Sequence, residues 1–130
     1  MTMMSELGTY LAANGGGVVV GTDLFYGTMP TSPAVCASFV EYEGRGYVRR
    51  QGGARCEMAR MQLLYRAESY EAAVAAIRTM AFVLDNVVNL TLSGTFYQRV
   101  EALQPPFFLE RDANDRFVFA VNFEITREST

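Results

Sequence analysis

The sequence predicts an α+β fold, a twisted antiparallel or mixed β-sheet packed against helices in a single domain over residues 1–130. Three observations carry this. Residues 69–85 repeat their apolar side chains at helical spacing, residues 117–125 alternate them with a period of two, and two further pairs of strand-like segments have glycine-bearing connections. Half of the 130 residues are apolar, enough for one sizeable core and too little chain for two ordinary domains.

Met3, Leu7, Tyr10 and Leu11 share one face of a helix over 3–13. Asn14 and the glycines 15–17 stop it, because glycine tolerates the left-handed backbone of a helix C-cap. The body of the fold then runs over 18–126. Val18, Val19 and Val20 predict a brief strand, after which Gly21, Gly27, Pro30 and Pro33 impose an irregular, anchored loop. Residues 34–42 carry the β-branched and aromatic content of a strand in Val35, Phe39, Val40 and Tyr42. Gly44, Gly46, Gly52 and Gly53 break it and make 44–54 a long loop. From Arg55 onward, Ala59, Met61, Leu63 and Tyr65 alternate with more polar neighbours, so 34–66 reads as a long-looped hairpin with that set facing inward.

Ser69 is a good N-cap, and Tyr70, Ala73, Val74, Ile77, Met80, Ala81 and Leu84 form one apolar stripe behind it. Residues 87–92, the Ser93-Gly94 turn and residues 95–103 make a second hairpin, which Pro105-Pro106 ends. In 116–126, Phe117, Phe119, Val121, Phe123 and Ile125 point to the core and leave the other face partly wet.

Charged residues are 19% of the chain and the formal net charge is -3, which gives neither a broad basic surface for nucleic acid nor an acidic disordered tail. The absence of histidine removes the Ser-His and Cys-His nucleophile pairs. Cys36 and Cys56 have no C-x-x-C spacing and read as buried reduced thiols. Asp112, Asn114 and Asp115 suggest a calcium loop only faintly, lacking its glycine and distal glutamate, and read as turn formers. Glu41 and Glu43 read as a polar strand face. No catalytic, cofactor-binding or metal-binding residues are expected, and the chain is not read as an enzyme. It shows no leader peptide and no apolar run of membrane-spanning length.

Two stretches carry a resemblance. One is Asp23-Leu24-Phe25-Tyr26-Gly27-Thr28-Met29-Pro30-Thr31-Ser32-Pro33; the other is Leu103-Gln104-Pro105-Pro106-Phe107-Phe108-Leu109-Glu110-Arg111-Asp112, followed by Asn114, Arg116 and the alternating segment. With the order of elements between them, they make the chain similar to the tail-terminator or minor capsid (neck) proteins of tailed phages. That resemblance implies a structural virion protein, assembled in host cytoplasm, forming a homohexameric ring on the last ring of tail-tube subunits. Such a ring ends tube growth, meets the head-side connector or stopper protein, and lets DNA pass without sequence-specific binding. The alternatives are another neck component, such as a stopper or head-completion protein, or its equivalent in a gene-transfer particle. From another class comes a small ligand-binding or thiol enzyme domain using Cys36 or Cys56.

The candidate site is therefore an interface. Phe82 and Val83 lie away from the stripe centred on Ile77 and Leu84 at about 100° per residue, so a neighbouring subunit or the N-terminal helix must cover them. In the loop 44–54, Tyr47, Arg49 and Arg50 combine an aromatic anchor with cations suited to carboxylates on the tube; the alternatives are a solvated flexible loop, or arginines that face DNA in the channel.

Overall fold

The computed structural model describes residues 2–49 and 55–129. Helix α1 (Met3–Ala13) starts at Thr2, whose side chain accepts the Ser5 N–H while the Ser5 hydroxyl accepts the Thr2 N–H. It ends at Asn14, with Gly15 at φ 90°. Strand β1 (Leu24–Tyr26) then runs parallel to β2 (Cys36–Arg49), which forms an antiparallel hairpin with β3 (Arg55–Ala67). After α2 (Tyr70–Asp85) come β4 (Val88–Leu92), β5 (Thr95–Ala102), β6 (Phe107–Arg111) and β7 (Phe117–Ser129). The sheet order is β1-β2-β3-β7-β5-β4, with β6 paired to β7 alongside β5. Helix α2 crosses β3, β5 and β7, and α1 touches α2, β1 and β4, closing the gap between the two ends of the sheet.

Several expectations hold. The α1, α2 and β7 faces fall as the periodicities require. Leu7, Leu11, Ile77, Met80, Leu84, Phe119, Val121, Phe123 and Ile125 belong to one core with Phe39, Met61 and Leu63. Ser69 caps α2 by accepting the Ala72 N–H. The Ser93-Gly94 turn has φ of 48° and 85°, the positive pair that suits a two-residue hairpin.

Two expectations are corrected, and one strand is unanticipated. The valines 18–20 form no strand: Asp23 accepts the Val19 N–H and Gly21 turns the chain, so extended backbone begins only at Leu24, where β2 offers partners. The loop expected over 44–54 is strand through Arg49, with Tyr47 opposite Glu57 and Arg49 opposite Arg55. Gly44 and Gly46 mark an irregularity in the pairing between Tyr42 and Gly46, where a Cβ on Gly44 would collide with the Met58 carbonyl. Glycine here permits close backbone approach inside a strand and breaks nothing. Residues 107–111, between two prolines and a polar turn, form β6, although its exposed side chains show no inward face.

The outer face of β7 is also drier than expected, since Val118 and Ala120 are buried. The segment that follows β1 lies over this part of the sheet.

Candidate functional site

Residues 28–34 have no regular structure, yet they are held firmly against the sheet. Arg66 on β3 is only 4% exposed. Its Nε donates to the Ala34 carbonyl at 3.0 Å, and its Nη2 donates to the carbonyls of Pro30 and Pro33, each at 2.6 Å. Arg116, just before β7, donates from Nη1 to the Thr31 carbonyl at 2.9 Å. The Ser38 hydroxyl donates to the Thr28 carbonyl at 2.7 Å. Two planar guanidinium forks thus satisfy carbonyls that a proline-rich loop cannot pair with itself.

Asp112 balances this cationic pair. Its Oδ2 lies 2.9 Å from Arg116 Nε and 3.8 Å from Arg66 Nε, while Oδ1 accepts the N–H groups of Asn114 and Arg116. Those bonds, led by the Arg116 backbone N–H, hold its carboxyl below the usual aspartate value. Asp112 is thereby committed to shaping its turn and neutralising two arginines. Cys36 lies under the same loop, fully buried, with Sγ 3.3 Å from Arg66 Nη2. Burial raises its pKa despite the nearby arginines, opposite to the shift that makes a reactive thiolate. Cys56 is buried too. Among the described residues, no group of three or more Cys, Asp or Glu side chains is placed to hold a metal.

At the opposite end of the sheet, Glu6 of α1 is buried and receives the Tyr97 hydroxyl at 2.7 Å and the Thr95 hydroxyl at 3.0 Å. Arg127 lies 3.7 Å from Glu6 and 3.2 Å from Glu57. This network anchors α1 to β5, β7 and β3. Burial first, and the Glu6 bond second, raise the Tyr97 phenol above its ordinary value of 10.0. The folded state therefore keeps a proton that the unfolded chain releases near pH 10, and this stabilisation, complete below that pH, is lost above it. Tyr97→Phe is expected to flatten the fall in stability above pH 10, measured by urea unfolding at stepped pH. An alkaline limb as steep as that of the unmodified protein would exclude Tyr97 as its source.

The expected interface residues separate. Phe82 is 70% exposed and lines a groove of about 420 Å³ with Ala81, Asp85 and residues 102–106. Val83 instead belongs to the chain's own core, the in-chain alternative to cover by a neighbouring subunit: on the helix it neighbours Met80, and the buried stripe is wide enough to include both. The backbones of Tyr47 and Arg49 lie in β2, and Arg50 lies outside the described residues. Sequence reasoning missed Glu6 and the Arg66 clamp. The one available signal was that two separated stretches matched a single family, and these are the stretches that Arg66, Asp112 and Arg116 bind together.

Residues 10–129 match the family model described as bacteriophage tail terminator protein. The chain belongs to that family. Among solved structures, it is similar to a chain from the virion of a native gene transfer agent particle, with a TM-score of 0.71 and 16% identity, covering 98% of this chain and 95% of that one. That likeness is one of fold. A comparison with curated proteins finds no match. Membership makes this tail terminator relative a structural protein of the phage tail, in keeping with a site built for holding shape.

Proposed function

We propose that this protein forms a ring on the last ring of tail-tube subunits, ends tube polymerisation and joins the tail to the head-side connector. It acts by binding and steric capping, without turnover of a substrate. The observation that carries this reading is the match to the tail terminator family over residues 10–129. The clamped loop adds support, because a capping surface gains affinity when its loops are ordered before binding. DNA passes through the channel without being read.

The contacts assigned to partners are Phe82, beside its groove, and the β2–β3 hairpin end carrying Tyr47 and Arg49 together with Arg50. Phe82→Asp is expected to leave the monomer's melting midpoint nearly unchanged, because the ring is exposed, and to lower the fraction of assembled protein in sedimentation. Equal assembly by both forms would remove Phe82 from the interface.

A host producing particles without this protein tests the main proposal. Tails of irregular, excessive length that fail to join filled heads are expected under the electron microscope, with normal length restored by the purified protein. Tails of normal length that lack only heads would assign the chain to another neck component, such as a stopper. The fold shared with a gene transfer agent chain favours a second reading, the equivalent position in a gene-transfer particle. Sequencing the packaged DNA separates the two, since such a particle carries host fragments.

A further inference from the structure

Asn14-Gly15 at the end of α1 is the only Asn-Gly pair in the chain; Asn86, Asn89, Asn114 and Asn122 precede valine, leucine, aspartate and phenylalanine. Glycine leaves its backbone nitrogen open to approach by the preceding side chain, because it has no Cβ and turns freely about φ. Both residues are exposed, and Gly15 stands at φ 90°. Its N–H donates no hydrogen bond among the described residues: the Leu11 carbonyl, which a continuing helix would offer it, takes the N–H of Gly16 at 2.9 Å instead. An unhindered, unbonded amide nitrogen therefore follows an exposed side-chain amide.

The helix cap keeps the two apart. Asn14 Nδ2 donates to the Tyr10 carbonyl at 2.8 Å, and the Asn14 backbone N–H donates to the same oxygen at 3.0 Å. At ψ 30° the Gly15 nitrogen lies on the far side of Cα from the Asn14 side chain. Attack needs the side-chain bond to release and ψ to turn, and both happen when the last turn of α1 frays. Fraying at a helix end is among the least costly openings of a fold. Leu11, fully buried, keeps the rest of the helix docked while it happens.

We propose that Asn14 is a site of spontaneous deamidation, with the cap of α1 as its gate. In the frayed turn the Gly15 nitrogen loses its proton to solvent base and forms a bond to Asn14 Cγ. The bond from Cγ to Nδ2 breaks, and ammonia leaves with a proton taken from water. Water then adds to one of the two carbonyls of the cyclic imide and opens it, giving aspartate in the ordinary or the iso linkage. Either product is a carboxylate, which cannot donate to the Tyr10 carbonyl and sets negative charge at the negative end of the helix dipole. The iso linkage also adds a main-chain carbon ahead of Gly15, drawing Gly16 away from the Leu11 carbonyl. The change is irreversible, so α1, whose Leu7 and Leu11 belong to the core, is held less firmly in every chain that has reacted. None of this depends on the ring reading.

The folded full chain and a peptide of residues 9–18 are kept side by side at mildly alkaline pH, and peptide mapping by mass spectrometry follows the exchange of NH2 for OH at Asn14. Conversion in the chain is expected there, in both linkages, several-fold slower than in the peptide. Gly16→Ala, whose new Cβ would press on the Leu11 carbonyl and side chain, should speed it several-fold while leaving the Asn-Gly pair intact. Ala13→Gly, at an exposed position in the last turn, takes its place if Gly16→Ala no longer folds. Asn14→Asp, which carries the product's charge, should melt below the unmodified protein. An Asn14 that stays intact in the folded chain overturns the proposal. Conversion as fast as in the peptide, or unchanged by whichever cap variant folds, overturns the cap as its gate. An Asn14→Asp melt equal to that of the unmodified protein overturns the loosening of α1.

Discussion

Arg66→Ala is expected to lower stability by roughly 4 kcal/mol or more, from two or three charge-assisted bonds worth about 1.5–3 kcal/mol each. The loss is large because the partners stay behind. The carbonyls of Pro30, Pro33 and Ala34 face a site from which the donor has gone, and water enters only if the loop lifts from the sheet. Arg66→Lys should recover little, since a single ammonium cannot span carbonyls that a planar fork reaches together. Urea unfolding gives the magnitude, and faster proteolysis within 28–34 locates the damage. A melt unchanged by Arg66→Ala would mean that the clamp does not form in solution.

Phe123→Ala should cost roughly 3–5 kcal/mol, a lowering of the melting midpoint by about 10–20 °C in a domain of this size. Phe123 is fully buried, opposite Met61 on β3 and Ala102 on β5, beneath α2, where a cavity has little room to collapse. Phe119→Ala should behave similarly, with some relief because Tyr70 and Phe108 at its edge are partly exposed. Midpoints within a degree of the unmodified protein for both variants would place the wrong face of β7 inside.

The two predictions differ in how far the sequence foretold them. Phe123 was legible because a half-buried strand writes its orientation into every second residue. The stripe of α2 was legible for the same reason, in a period of 3.6. Arg66 was not, because one arginine among the outward residues of a strand looks like any solvated charge until another segment covers it. For Val83 the sequence left open whether the same chain or a neighbouring subunit covers it, because helical phase gives a side chain's direction but not the width of the surface it packs on. The hairpin end misled because glycine has two uses, breaking a strand and letting two backbones approach, and pattern alone does not choose between them.

By itself, the sequence determined the class of fold, both helices with the Asn14 stop of the first and the Ser69 cap of the second, the inner faces of β3 and β7, and the resemblance to tail terminators. All of these rest on neighbours along the chain or on periodic burial against any apolar surface. Only the tertiary structure decided that β1 forms at Leu24, that β6 joins β7, that β2 runs to Arg49, and that Arg66, Asp112 and Arg116 close over the loop. Each of these needs a partner remote in sequence, such as Thr31 for Arg116 or Glu6 for Tyr97. A polar side chain's burial depends on what arrives to satisfy it, and no local pattern records that arrival.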